Sequence, residues 1–532
     1  MSLDCNRNLS PTYSLGSCHP ARPQAGVREW LGLAVLALPT MLLGLDVTLL
    51  YLALPALAAD LGASSTQALW IMDIYGFMIA GFLITMGTLG DRVGRRRLLM
   101  VGGTAFAGAS LLAAYSTSAE MLIIARAALG VAGATLMPST LALISNMFAD
   151  ARQRAQAIGV WATMFALGMA VGPLVGGVLL ERFWWGAAFL LALPVVALLL
   201  AFAPLLLPEY RSAQSGRFDL PSVALSIAAI LPTIYGVKEL GKHGAEVGPL
   251  LIMAAGVFFA ALFVRRQRRL TEPFLDMTLF ASRTFSAALI VLLVGLVAVG
   301  GTMLLVTQYL QLVLGLSPLA AGIWMAPPAL AMVAAGIVAP LIARHIRPGL
   351  VVAAALMLST LGYLLLARVQ GASGIGLLVG GFALVYFGLG TIAALGTDLV
   401  VGAAPADKAG AASAMSEMVQ ELGVALGVAT LGSLAATVYR LRILEHIPAA
   451  LPDELARVVS DSLWASSSVA QRLPEGLLEQ ARAAFIQGLN LSTSLSALGI
   501  AILAILAALA LRHIGTIGAH ERNTEFTSGK DA

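Results

Sequence analysis

The chain has 532 residues, of which 59% are hydrophobic and 11% are charged, and its formal net charge is +4. Soluble domains contain roughly 25% charged residues, so this chain has too little polar surface to cover a globule in water. The composition therefore excludes an ordinary soluble protein and predicts an integral membrane protein.

Apolar segments long enough to cross a bilayer recur along almost the whole chain. A spanning helix needs about 20 apolar residues, whereas a spanning strand needs about 10 with alternating polarity, and no such alternation is present. We therefore predict an all-α membrane protein with about fourteen spans. The predicted spans are 30–51, 68–90, 97–116, 119–147, 155–180, 186–207, 219–239, 247–265, 285–312, 318–343, 349–368, 373–400, 409–438 and 486–511.

The N-terminal tail, 1–29, lacks the apolar core of a cleavable signal peptide, so the first span is expected to be retained. Lysine and arginine residues concentrate in loops on the tail's side of the membrane, for example at Arg92 and in 265–269. By the positive-inside rule, this distribution predicts that both termini are cytoplasmic. It also accounts for the positive charge without a nucleic-acid partner.

Asp46 lies alone among apolar residues within the first predicted span. A carboxyl group inside a membrane must be protonated, paired or hydrated, and such groups mark ion or substrate pathways. Asp73, near the start of the second span, is another acid of this kind. Both are therefore candidates for exchanging protons and for binding cations.

The loop after the second span combines glycines with charged residues. Glycine permits tight turns and close approach of helices, and an acid beside arginines can form ion pairs with neighbouring helix ends. A basic run alone could be only an orientation signal, whereas this combination predicts a reversible conformational latch. Its residues are Gly87, Asp91, Arg92, Gly94, Arg95 and Arg96.

Arg126 is a charged residue within the fourth predicted span. A guanidinium group in a membrane is costly unless it is paired, so we expect Asp46 or Asp73 to be its partner. Two roles fit this residue: proton coupling, or a static structural ion pair.

The fifth span contains small residues at i, i+4 and i+8, which let helix backbones pack closely. Pro173 removes one intrahelical hydrogen bond at the centre of this surface. The motif consists of Gly168, Gly172, Pro173, Gly176 and Gly177. The residues alone predict a helix-packing surface.

Glu417 and Glu421 are separated by four residues in the thirteenth span and therefore share one helical face. Two carboxylates this close in a low dielectric should not both be ionised at neutral pH, so the pair can hold a proton or bind a cation. The alternative is a hydrated pair near the cytoplasmic end of the helix.

Four segments resemble three signatures of the major facilitator superfamily. Residues 87–99 are similar to its signature loop, and 168–177 resemble the fifth-helix motif of its exporters. The segments 45–48 and 53–55 resemble the first-helix signature of the fourteen-helix drug:proton antiporter branch, although Tyr51 stands where that pattern often has asparagine. The chain is thus similar to SmvA/QacA-type multidrug efflux pumps over essentially its whole length.

The resemblance implies a major facilitator fold, in which two six-helix bundles enclose a cavity at the membrane midplane. It also implies two additional transmembrane helices between the bundles, and we expect the long loop before the last span to form an extracellular helical hairpin rather than a disordered loop. The implied divisions are the tail 1–29, the first bundle 30–207, a linker 208–218, the additional helices 219–265, a basic linker 266–284, the second bundle 285–511 with the loop 440–485, and the tail 512–532.

The implied function is proton-coupled export of hydrophobic cations, such as quaternary ammonium compounds, ethidium and chlorhexidine, across a bacterial inner (cytoplasmic) membrane. The resemblance assigns the fourth-helix arginine, here Arg126, to proton coupling. Transport would be driven by the proton gradient, without a cofactor, by a monomer that contacts membrane lipids. An exporter of a lipid, siderophore or amino acid, an uptake carrier, and a receptor or membrane-embedded enzyme are the alternatives.

Polarizable and aromatic side chains in the spans are candidates for the cavity wall, because they suit bulky hydrophobic cations. These candidates are Met41, Trp161, Met164, Trp324, Met325, Tyr386 and Met415. The sequence has no metal-ligand cluster, phosphate-binding loop or nucleophile elbow, which argues against an enzyme. Cys5 and Cys18 fall in the N-terminal tail and are assigned no role.

Overall fold

The computed structural model describes residues 25–211, 219–243, 246–270, 273, 277–371, 374–405 and 408–514. Cys5 and Cys18, most of both tails and most of the linker 208–218 lie outside these residues. Within them, fourteen helical segments are long and apolar enough to cross a membrane, and there is no strand. The predicted all-α membrane fold is confirmed.

The first six spans are built from seven helices, since α6 and α7 together form one span. Helix α1 extends beyond the predicted span 30–51, and it ends just before Gly62, whose φ of 59° is a conformation that favours glycine. The helices are α1 Val27–Asp60, α2 Ser65–Val93, α3 Arg95–Ala114, α4 Ala119–Met147, α5 Ala151–Arg182, α6 Ala187–Leu190 and α7 Ala192–Leu206.

Two additional helices, α8 (Leu220–His243) and α9 (Val247–Gln267), form an antiparallel hairpin. Their ends are joined by Asp219, which lies 2.7 Å from the Arg266 guanidinium and also accepts a hydrogen bond from Ser222. Burial acts to raise the pKa of Asp219, but the hydrogen bonds from Arg266 and Ser222 outweigh it and lower that pKa. The ionised carboxylate therefore fastens α8 to α9 at this end.

The remaining six spans follow the hairpin and include two short π-helical turns, Tyr309–Val313 and Ile392–Gly396. The membrane helices of this half are α10 Arg283–Gln308, α11 Pro318–Trp324, α12 Ala326–Ala343, α13 Pro348–Leu366, α14 Ile375–Thr391, α15 Thr397–Gly402, α16 Ala409–Leu444 and, after the loop helices α17 (Asp453–Asp461) and α18 (Leu463–Ser468), α19 Leu477–Ala510.

The loop between α16 and α19 is shorter than the predicted hairpin 440–485. Its first amphipathic stretch forms α17, whereas the second belongs to the first turns of α19. The reason is local: Gly476, with a φ of 81°, begins a helix that meets no further proline or helix break before Leu511.

The two halves meet at several helix contacts. Helix α2 packs on α16, α5 packs on α11 and α12, and α1 packs on α10. Helix α8 lies over the seam between α2 and α16 and contacts both. We call the membrane side that contains Arg92–Arg97 the basic face, and the side that contains α17 and α18 the loop face.

At the loop face, the loop helices connect the halves. The carboxylate of Asp461 accepts hydrogen bonds from the backbone N–H of Ser65 (2.9 Å) and from its hydroxyl (3.2 Å), at the N-terminus of α2. The Trp464 indole donates to the carbonyl of Ala63 at 3.4 Å. An anion at a helix N-terminus is stabilised by the helix dipole, so Asp461 holds the loop against the first half.

Replacing Asp461 with asparagine should loosen this contact. A hydrogen bond to an ionised group is stronger than a neutral one by about 1 kcal/mol, which corresponds to roughly fivefold more frequent opening. In a background lacking Cys5 and Cys18, a cysteine placed at Ala63, which is buried, should therefore react faster with a membrane-impermeant maleimide. Asp453→Asn, at an exposed acid of the same helix, is the control, and equal rates for both variants would contradict the assigned contact.

Candidate functional site

A buried ion pair joins α1 and α4 in the first half. Arg126 Nη1 lies 2.8 Å from Asp46 Oδ2, and the Arg126 side chain is only 2% exposed. Its Nε donates to the carbonyl of Ile71 at 3.2 Å, and its guanidinium lies 4.4 Å from the centre of the Tyr75 ring. Of the two partners expected for Arg126, the structure therefore selects Asp46, while two groups of α2 hold the other side of the guanidinium.

Close packing of α1 on α5 positions Asp46. A Cβ atom on Gly168 would clash with the carbonyl oxygen of Met41 and would lie 3.0 Å from the backbone nitrogen of Leu45, and one on Gly172 would clash with Thr48. Side chains at these glycines would push the two helices apart. The segment of α1 that bears Asp46 therefore owes its position to the absence of side chains on α5.

Pro173 creates a further link between these helices. Proline has no N–H, so the carbonyl of Met169, four residues earlier, lacks its usual helical donor. The hydroxyl of Thr48 supplies one at 3.1 Å. Thr48 of the first span thus replaces the donor that Pro173 removes from the fifth, and the hydrogen bond links α1 to α5.

The same motif also faces the second half. A Cβ atom on Gly177 would lie 2.8 Å from both the Pro318 carbonyl oxygen and Leu319 Cα, and one on Gly322 would clash with the carbonyl oxygen of Pro173. Gly176 instead packs against Leu49 of α1. The fifth-span motif therefore packs α5 on α1 within the first half and on α11 across to the second.

Asp73 has a different partner from Asp46. Lys238 of α8 places its Nζ 2.8 Å from Asp73 Oδ2 and 3.0 Å from Oδ1, and the same Nζ lies 3.8 Å from the centre of the Trp70 ring. The side chains of Lys238 and Asp73 are 1% and 0% exposed. This ion pair joins the first half to the additional helices.

Glu421 lines a cavity between the two halves, on the opposite wall from Arg126. Gly76 allows the walls to approach, since a Cβ there would lie 3.1 Å from Ala425 Cβ of α16. Glu417 belongs to the same helix but is not part of this lining. The lining residues are Val47, Tyr51, Met72, Tyr75, Gly76, Arg126, Glu421, Val424, Ala425 and Val428.

Two polar groups of this cavity have unused bonding capacity. Within the residues that the structure describes, the Glu421 carboxylate has no hydrogen bond or ion pair, and the Tyr75 hydroxyl is buried without a partner. An unpaired ionised carboxylate in a membrane is costly, so Glu421 must hold a proton, contact water in the cavity or face a cation. The cavity thus combines an anionic acceptor, a hydroxyl and aromatic surfaces.

At the basic face, Asp91 and Arg95 form an ion pair within the predicted latch, at 2.7 Å. Arg96 donates to the carbonyl of Leu207 at 2.9 Å and its Nε lies 3.8 Å from Glu209 Oε2. Gly94 has a φ of 117°, and a Cβ there would clash with Glu209. In the described part of the chain these ion pairs all have partners in residues 91–209, so the latch contacts the first half and the start of the linker.

The other predicted latch residues and the predicted cavity-wall residues do not line the cavity that contains Glu421. Arg92 is exposed, and Gly87 lies close to Pro138 of α4. The Trp161 indole donates to Thr140 at 3.0 Å inside the first half, and Trp324 is 40% exposed. Met41, Met164, Met325, Tyr386 and Met415 are also absent from the lining around Glu421, and Met325, Tyr386 and Met415 are buried.

Sequence reasoning missed Lys238, Glu209 and the hydrogen-bonding role of Thr48. A lysine within the seventh predicted span is as unusual as Asp46 and could have been found by the same criterion. Glu209 gave no comparable signal, because it lies in a polar, turn-rich linker. In the described residues, no group of histidine, cysteine, aspartate and glutamate side chains could hold a metal ion.

The chain is similar in sequence to known proteins. A family model described as Major Facilitator Superfamily matches residues 36–428. The chain is 40% identical to the multidrug efflux pump LfrA of Mycolicibacterium smegmatis, over 93% of this chain and 98% of LfrA. It is 35% identical to the methyl viologen resistance protein SmvA of Salmonella typhimurium, over 90% of this chain and 97% of SmvA.

Among solved structures, the fold is similar to a bacterial homologue of the human lysosomal transporter Spinster in an inward-facing, unoccupied conformation. The TM-score is 0.64, and the match covers 92% of this chain and 98% of that one at 15% identity. At this identity, the likeness concerns the fold alone.

Proposed function

Because the chain belongs to the major facilitator superfamily, we propose that it is a proton-coupled antiporter that exports hydrophobic organic cations. The names of two relatives support the substrate class: LfrA is a multidrug efflux pump, and SmvA confers resistance to methyl viologen, an organic dication. We include quaternary ammonium compounds, ethidium and chlorhexidine among the compounds exported.

The observation on which this proposal rests is the Asp46–Arg126 pair beside the cavity that contains Glu421. Asp46 can lose its ion pair when it accepts a proton, and Glu421 offers a cation a carboxylate with no ion-pair partner among the described residues. Arg126 remains bound to Ile71 and Tyr75 of α2 in either case. Protonation of Asp46 would therefore release α1 from an arginine that stays attached to α2.

This release supplies the coupling step. A cationic compound in the cavity favours loss of the proton from Asp46, so the proton and the cation alternate rather than bind together. The glycine surface of α5, which touches both α1 and α11, would transmit a shift of α1 to the second half. Asp91, which pairs with Arg95 in this structure, would contact the second half in another state of the transport cycle.

We place the basic face in the cytoplasm of a bacterium, by the positive-inside rule, and the loop face outside the inner membrane. The proton gradient would drive transport without a cofactor. The protein would act as a monomer in contact with membrane lipids.

Ethidium efflux from energised cells tests the proposal. Cells that express the chain should extrude ethidium and tolerate more chlorhexidine, and a protonophore should stop the efflux within the mixing time. Efflux that continues after the protonophore would contradict proton coupling. No change for any cationic compound would instead favour an exporter of a lipid, siderophore or amino acid.

Glu421 and Glu417 should contribute unequally to cation binding, because only Glu421 lines the cavity. Glu421→Gln should weaken binding of tetraphenylphosphonium to the purified protein by about tenfold, the effect of losing about 1.4 kcal/mol. Glu417→Gln, one helical turn away, is the matched control and should change binding less than twofold. Equal losses in the two variants would show that the acids act as one pair.

A further inference from the structure

The ion pair between α2 and α8 has the chemical composition of a binding site for an organic cation. Asp73 and the Trp70 ring surround the Lys238 ammonium at 2.8 Å and 3.8 Å. A carboxylate and the face of an indole ring are the two groups that best recognise ammonium ligands in a dry environment. In this chain the ammonium group of Lys238 takes the place of such a ligand.

Because Asp73 is buried, its negative charge must be balanced by a cation or removed by a proton. The Asp73 side chain is 0% exposed, and a buried carboxylate that loses its partner is strongly destabilising. A position of this kind must therefore contain a cation, either Lys238 or one that replaces it, unless the carboxyl group is protonated.

The position of this pair connects it to the transport cavity. Behind the α2–α16 seam, Phe77, Ile234, Ala425 and Ala429 form one apolar cluster under α8. Ala425 also lines the cavity with Glu421. Trp70, which contacts Lys238, packs against this cluster, so the cluster connects the Trp70 side of the ion pair with the cavity wall.

Lys238 is carried by a helix that can move as part of the hairpin. Helix α8 is joined to α9 by Asp219 and Arg266, and α9 has few buried side chains, so the hairpin has its main attachment at the seam. Movement of the hairpin would take the ammonium away from Asp73 and Trp70.

We propose that Trp70 and Asp73 form a second cation position, and that Lys238 is its tethered occupant and determines specificity between monocations and dications. The inference rests on the proposed function. A monocation needs only Glu421, whereas a dication places its second charge at Asp73 and must displace Lys238 to do so.

Binding of two probes to the purified protein in nanodiscs tests this assignment. Lys238→Met removes the occupant and preserves the apolar stem. It should bind methyl viologen, a dication, about tenfold more tightly, and tetraphenylphosphonium, a monocation, with unchanged affinity. In the double variant Asp73→Asn/Lys238→Met the gain should disappear.

A second variant retains the charge and so avoids an unpaired Asp73. Lys238→Arg provides a planar cation that forms bidentate bonds to a carboxylate, and it should weaken methyl viologen binding several-fold without affecting tetraphenylphosphonium. Unchanged methyl viologen binding in both single variants, or equal losses for both probes that the double variant restores, would establish a static ion pair and overturn the proposal. These measurements use no proton gradient, so they are independent of the protonophore experiment.

Discussion

Asp46→Asn is expected to reduce protonophore-sensitive ethidium efflux to the background of cells that lack the protein. An amide cannot release a proton, so the proposed exchange at this position would stop. The change also leaves Arg126 buried without its anionic partner, which costs about 3–5 kcal/mol in comparable pairs. Efflux must therefore be normalised to the amount of protein in the membrane.

Two further variants separate coupling from stability. Asp46→Asn/Arg126→Gln removes both charges, so it should recover membrane levels and thermal stability yet remain inactive. Asp60→Asn, at an exposed acid of the same helix, keeps an oxygen that can accept the hydrogen bond from the Trp185 indole, so it should behave as the wild type. Active efflux by the double variant would reduce Asp46 and Arg126 to a structural ion pair.

Gly168→Ala is expected to destabilise the protein and to stop transport, although it adds one methyl group. Its Cβ would meet the backbone of α1, at Met41 and Leu45, and backbone atoms cannot rotate away as a side chain could. Overpacking of this kind costs about 1–3 kcal/mol. The displaced segment of α1 includes Asp46, so efflux should fall with stability.

Gly159→Ala provides a matched control in the same helix. A Cβ at Gly159 has no neighbour within 4 Å, and alanine is a better helix former than glycine by about 1 kcal/mol. The two substitutions should therefore shift the melting temperature of the purified protein in opposite directions. A lower melting temperature for both would show that glycine is needed for helix flexibility rather than for packing.

The number and type of the spans could be predicted from the sequence because helices in lipid must be long and apolar, a property visible residue by residue. The ends of the helices are harder to predict than their number. The start of α19 depends on Gly476, whose positive φ is decided by a turn rather than by hydropathy. Hydropathy alone therefore places the second amphipathic stretch in the loop, whereas in the structure it continues into the last span.

The residues of the site could be identified, but their pairing could not. Asp46 and Asp73 are both acids within the first two spans, and sequence gives no means of deciding which one faces Arg126. That choice depends on the rotation of α1 and α2, which is fixed by contacts far apart in sequence, such as Gly168 against Met41. Likewise, only the packing of α2 on α16 shows that Glu421 lines the cavity.

The Asp73–Lys238 pair constrains how a protein of this kind can gain or lose its additional helices. Removing α8 and α9 would leave the carboxylate of Asp73 inside the hydrocarbon region without a cation, because Lys238 is its ion-pair partner in the structure. A shortened, twelve-helix descendant would therefore have to keep this carboxyl group protonated, or replace Asp73 with a neutral residue before, or together with, the deletion. In evolutionary terms the hairpin and this aspartate form one heritable unit, and a natural relative that lacks the hairpin is expected to lack the acid.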